Sequence, residues 1–142
     1  MKYATTLLGS LCLIATTPAL AGDLTIDLSG VQSAKGDLYV GVQTQDQFLK
    51  ESGTYGSVLR APKAGDHHVV IKDVAPGDYS ISVWHDVDGD KVFSKAANGI
   101  PTDGWSMIGA ETLRSEPDWD QVKISVPAAG NSAKLAMIYA AQ

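Results

Sequence analysis

"YSISVW", residues 79–84, decides the fold class. Tyr79, Ile81 and Val83 alternate with Ser80, Ser82 and Trp84. A half-buried β-strand has this period of two, because successive side chains point to opposite faces. The same period recurs outward along the chain. Leu24, Ile26 and Leu28 carry it in "LTIDL", and Leu38, Val40 and Val42 in "LYVGVQ". Val122, Ile124 and Val126 carry it later, and Leu135, Met137 and Tyr139 close the chain. "HVVIKDV" (68–74) is a further strand and "SVLRA" (57–61) a weaker one. No long helical crossover separates these runs. They predict an all-β fold: a single antiparallel β-sandwich of about seven strands.

Between the strands, "TQDQFLKES" (44–52) predicts one short helix, with Thr44 as N-cap, Gln47 completing a capping box and Phe48 pointing inward. "APGDY" (75–79) predicts a turn with Pro76 at its first corner and Gly77 at positive φ. The longest irregular stretch runs from Asp86 to about Asp120, and a loop of that length is where function concentrates.

The first 21 residues read as a secretory signal peptide. Lys2 supplies the positive start, Leu7 to Thr16 a short apolar core, and Ala19-Leu20-Ala21 a small-x-small cleavage site. The expected mature domain is 22–142, exported to the periplasm or the extracellular space. The only cysteine, Cys12, falls in the leader, so no disulfide holds the mature chain. Its 121 residues suit one core. Without Lys2, 10 basic residues face 16 acidic ones, a net charge of −6, which excludes a nucleic-acid-binding face. No later apolar run is long enough to be a transmembrane segment.

Negative charge gathers directly after the Tyr79–Trp84 strand, in "HDVDGD" (85–90). Asp86, Asp88 and Asp90 stand at alternate positions, a spacing that lets carboxylates curl round a hard cation such as Ca²⁺. The rest of an EF-hand loop is missing: Lys91 replaces the glycine at position six and Ala97 the bidentate glutamate at position twelve. A calcium site here is therefore irregular, completed by Ser94, Asn98, Asp103 or backbone carbonyls. The competing reading is a turn whose carboxylates cap backbone N–H groups.

His85 adjoins the cluster as a candidate ligand-binding residue or proton carrier, against the plainer reading of a strand-end histidine bonded locally. His67 and His68 face opposite sides of a strand and do not share one metal. No serine lies in a G-x-S-x-G setting and the mature chain has no thiol, so no catalytic residue is assigned. Trp105, in "DGWSM", is the tryptophan best placed to meet a ligand such as a sugar ring.

The run from Pro76 to Trp105 resembles a family of small exported bacterial proteins known as domain of unknown function 2141. "PGDYSISVWHD", the acidic turn "VDGDK", "GIPTDGW", "EPDWDQVKISV" and "KLAMIY" carry the resemblance. It implies a transthyretin-like (prealbumin-like) or carboxypeptidase-regulatory-like sandwich with no assigned activity. The family's acidic turn carries a second glycine where Lys91 stands, and an aspartate where Ser94 stands. Transthyretin-like hydrolases end in Tyr-Arg-Gly-Ser, whereas this chain ends in "YAAQ". Taken together, the expectation is an exported, non-enzymatic binding or accessory module with an acidic, calcium-binding loop and a protein or carbohydrate partner. The alternative is a small-substrate hydrolase using His85 and the neighbouring aspartates.

Overall fold

The computed structural model describes residues 20–140. The expected leader, with Cys12, lies outside the described residues except for Leu20 and Ala21. Eight strands form: β1 (Gly22–Val31), β2 (Leu38–Gln43), β3 (Tyr55–Leu59), β4 (Gly65–Val74), β5 (Gly77–His85), β6 (Gly104–Met107), β7 (Ile124–Val126) and β8 (Asn131–Ala136). One sheet has the order β4-β1-β8; the other runs β3-β2-β5-β6, with β7 pairing the start of β5.

The two sheets are held face to face by the alternation that the sequence displays. Leu24, Ile26, Leu28, Ile71, Ala133 and Leu135 from the first sheet pack in one buried cluster with Leu38, Val40, Val42, Ile81 and Val83 from the second. Each fully buried aliphatic side chain contributes about 1.5–3 kcal/mol, so this interface holds the domain together without covalent help. The all-β sandwich stands as expected. Among the described residues, no helix is long and apolar enough to cross a membrane.

Four local expectations change. First, β8 lies parallel to β1, Ile26 pairing with Ala133 and Leu28 with Leu135. Alternation specifies which face a residue occupies but not the direction of its neighbour, so a parallel pair was invisible to it.

Second, "TQDQFLKES" makes only one 3-10 turn, Gln45–Gln47. The capping box forms, with Gln47 Oε1 accepting the Thr44 N–H at 3.3 Å, and the Thr44 hydroxyl also donates to Asp46 Oδ1 at 2.6 Å. The turn then ends as Phe48 becomes extended and Leu49 takes φ +60°. Phe48 is half-buried, edge-on to Trp119.

Third, Gly77 is not at positive φ; Asp73 is, at +55°. The β4–β5 connection is a corner between sheets and not a hairpin. Two tyrosines clamp it: Tyr55 Oη accepts the Ala75 N–H (3.0 Å) and Tyr79 Oη donates to the Ala75 carbonyl (2.9 Å).

Fourth, 86–120 is not one irregular stretch. It contains β6, a small Lys95–Pro101 bridge and the 3-10 turns Ala110–Thr112 and Trp119–Gln121. At four residues, β6 is too short for its alternation to register.

Candidate functional site

The site grows from the end of β5. Tyr79, Ile81 and Val83 point into the core, and the same parity carries His85 inward to 0% exposure. Opposite His85 on β6 is Gly104. The missing side chain of Gly104 makes room for the Tyr139 ring, which comes from the bridge that Ile138 forms with Trp105. His85 Nδ1 meets Tyr139 Oη at 2.8 Å, and Tyr139 Oη also accepts the Gln32 N–H at 3.0 Å. His85 Nε2 is buried and has no partner among the described residues.

Burial lowers the His85 pKa, against the opposing pull of Asp103 and Asp86, with His67 lowering it slightly further. Folded His85 therefore resists protonation while the unfolded chain titrates near pH 6.5. Below that value the unfolded state binds more protons, so stability is complete above about pH 6.5 and falls as pH drops towards the lowered folded pKa. In calcium-free buffer, the wild type is expected to lose melting temperature as pH falls below about 6.5, and His85→Gln to lose less. Parallel slopes for the two proteins would rule out His85 as the titrating group. The burial also means that no atom of His85 reaches solvent to touch a substrate, so His85 itself is not an exposed base.

One residue beyond the His85–Gly104 pair that ends the ladder, Asp86 and Asp103 come close together. Both are buried, at 1% and 2% exposure. The Asp103 carboxylate accepts three donors: Trp84 Nε1 (2.9 Å), the Val87 N–H (3.1 Å) and the Ser94 N–H (3.1 Å). The Asp86 carboxylate accepts the Gly89 N–H (2.8 Å) and the Lys91 N–H (3.1 Å). Asp88 accepts from Asp90 N–H at 3.2 Å and Asp90 from Val92 N–H at 2.7 Å. The amide-capping turn thus forms.

A second property overlies it. One carboxylate oxygen from each of Asp86, Asp88 and Asp103 lies within 4.8 Å of the other two. Among the described residues no lysine, arginine or histidine forms a salt bridge with any of the three. A carboxylate oxygen that accepts one amide retains a lone pair for a cation.

Sequence spacing placed Asp90 in the trio. The structure puts Asp103 there and leaves Asp90 exposed, capping its own turn. Ser94 reaches the site through its backbone N–H, while its hydroxyl donates to Val92 O. Asn98 caps the Ile100 N–H in the outer turn. Trp105 stands on β6 beside Trp84, half-buried on the outer face. The role of His85 as a buried strut was open to sequence reasoning, because its parity matches Tyr79, Ile81 and Val83. Its partner Tyr139 carried no such signal.

The sequence profile of a family described as "Uncharacterized protein conserved in bacteria (DUF2141)" matches residues 26–134. This chain belongs to DUF2141. The match spans both sheets and the whole acidic loop. No curated protein and no solved structure matches the chain. Lys91 has φ +64°, a left-handed conformation that costs an L-residue roughly 1–2 kcal/mol and that the glycine implied by the resemblance would adopt freely.

Proposed function

We propose that this DUF2141 protein is an exported, non-enzymatic binding module whose acidic loop takes up Ca²⁺. The observation that carries the reading is the Asp86–Asp88–Asp103 trio: three carboxylates with oxygens within 4.8 Å, two of them buried, and no cationic side chain paired with them. Like charges this close repel, and a hard cation relieves that repulsion better than an amide does. Calcium takes six to eight oxygens, so water and loop carbonyls would supply the rest. Export is supported by the leader-like first 21 residues and by the start of β1 at Gly22, which a cut after Ala21 would leave whole. Mass spectrometry of the secreted chain tests that point: a mature N-terminus elsewhere than Gly22 contradicts it.

The calcium reading is tested by calorimetry. At a hundred times its Kd, Ca²⁺ adds about 2.7 kcal/mol, on the order of 10 °C in melting temperature for a domain of this size. Asp88→Ala is the cleanest variant, because Asp88 is exposed and its loss leaves the buried hydrogen bonds in place. It is expected to abolish the rise while barely changing the melt in chelator. If neither Ca²⁺ nor Mg²⁺ shifts the wild-type melt, the aspartates are turn formers and nothing more.

A further inference from the structure

The outer face of the second sheet is ordered by its strand register. Val58, Tyr39, Trp84 and Trp105 are successive neighbours across β3, β2, β5 and β6 and form one row. The next row on that face is Gly56, Gly41, Ser82 and Met107. Beyond it, the Gln43 amide donates to the carbonyls of Lys50 and Ser52 (2.7 and 3.0 Å) and pins the 49–54 loop over the sheet. Gly56, Gly41 and Ser82, the small members of that row, thus lie between the rings of Tyr39, Trp84 and Trp105 and a pinned loop. The result is an open trough of about 1100 Å³ crossing the strands. Three inter-strand spacings make its floor about 14 Å long.

Its chemistry selects a ligand class. Tyr39 and Trp84 stack at 4.7 Å, and Phe93 from the acidic loop closes edge-on against Trp84 at 6.2 Å. The rings are fixed, so little order is lost when they bind. The floor is the face of the sheet, where β2 and β5 are laddered on both sides, so a peptide lying on it meets side chains and not the free backbone groups of an edge. It does offer ring surfaces and the Ser82 hydroxyl, which suit sugar C–H faces and hydroxyls. The charge of the lining runs against that of the chain. Acids outnumber bases 16 to 11 overall, yet Lys50 and Lys91 line the trough against Glu51 alone. The Lys91 ammonium has no salt-bridge partner among the described residues, although its backbone is held at φ +64°.

We infer that this trough binds a linear acidic polysaccharide, a polymer of uronate sugars, which rests on reading the protein as a binding module. Sugar rings lie along the aromatic row over the glycine floor, and Lys91 neutralises their carboxylates.

The test is calorimetric titration of the full mature chain with short oligouronates in calcium-free buffer. Neutral glucan oligomers of the same length and an extended peptide serve as comparisons. Oligouronates are expected to bind, more weakly as salt rises. Gly41→Val is expected to abolish binding, since its Cβ has only Ser82 atoms nearby, Oγ at 3.3 Å, and the larger side chain fills the floor. Trp105→Ala should weaken binding about tenfold, a loss of about 1.4 kcal/mol. Lys91→Gly should raise the melting temperature by relieving the left-handed strain and still weaken binding severalfold, which misfolding cannot mimic. The inference is overturned if oligouronates do not bind, if neutral glucans or the peptide bind as tightly, or if Gly41→Val binds normally. A calcium melt on the same preparation separates the two readings, because it reports on the aspartate trio whether or not the trough is filled.

Discussion

Asp103→Ala is expected to remove about 3–5 kcal/mol of folding stability, a large part of the 5–15 kcal/mol typical of a domain. The reason is the number of donors that converge on one buried carboxylate: the Trp84 indole, the Val87 amide and the Ser94 amide. Alanine leaves all three unanswered. Each buried donor without a partner costs about 1–3 kcal/mol, reduced where water can enter. Those donors belong to β5, to the start of the acidic loop and to its return, so the carboxylate ties three segments together. Asp103→Asn keeps one acceptor oxygen but turns an amide nitrogen towards a donor, and should cost roughly half as much. Chemical denaturation of the three proteins measures the series. A loss below about 1 kcal/mol for alanine would show that solvent replaces the carboxylate, and that the loop is held by something else.

Gly104→Ala is the second large effect, expected at about 2–4 kcal/mol. Gly104 is buried on β6, and a Cβ there would lie 2.8 Å from Tyr139 Cδ1 and closer still to Cε1. The ring has to leave. His85 then loses its one hydrogen bond while remaining enclosed, and Gln32 N–H loses its acceptor. Tyr139→Ala makes the cause checkable through a double-mutant cycle. With the ring already gone, Gly104→Ala should cost little, so the two changes should be strongly non-additive. Additive costs would mean that the strand, and not the collision, needs glycine.

His85 and Asp103 show how far sequence reasoning reaches. His85 was legible in principle: it continues the parity of Tyr79, Ile81 and Val83, which requires it to face the core. Charge and chemistry drew it instead towards the neighbouring aspartates, when the physical rule placing it was the pleat of the strand. Asp103 was only one of several residues that could complete the site. Nothing near position 103 announces that β6 exists, and only its pairing with β5 sets Asp103 against Asp86. Asp90, evenly spaced with Asp86 and Asp88, belongs to the trio by spacing and leaves it by geometry: the turn at Gly89, φ +82°, and Lys91 sends its carboxylate outward to Val92.

The sandwich itself was a matter of sequence. A residue's face on a strand depends on counting by two, a local property, and the burial of those faces makes two sheets unavoidable. The membership of DUF2141 was likewise readable from Pro76 to Trp105. Partner and direction were not local. The parallel β1–β8 pair, the Tyr139 ring in the space left by Gly104, the meeting of Asp86 with Asp103 and the glycine-floored trough each join segments distant along the chain. Such contacts depend on which edges lie side by side once the core has closed, and alternation carries no record of that choice.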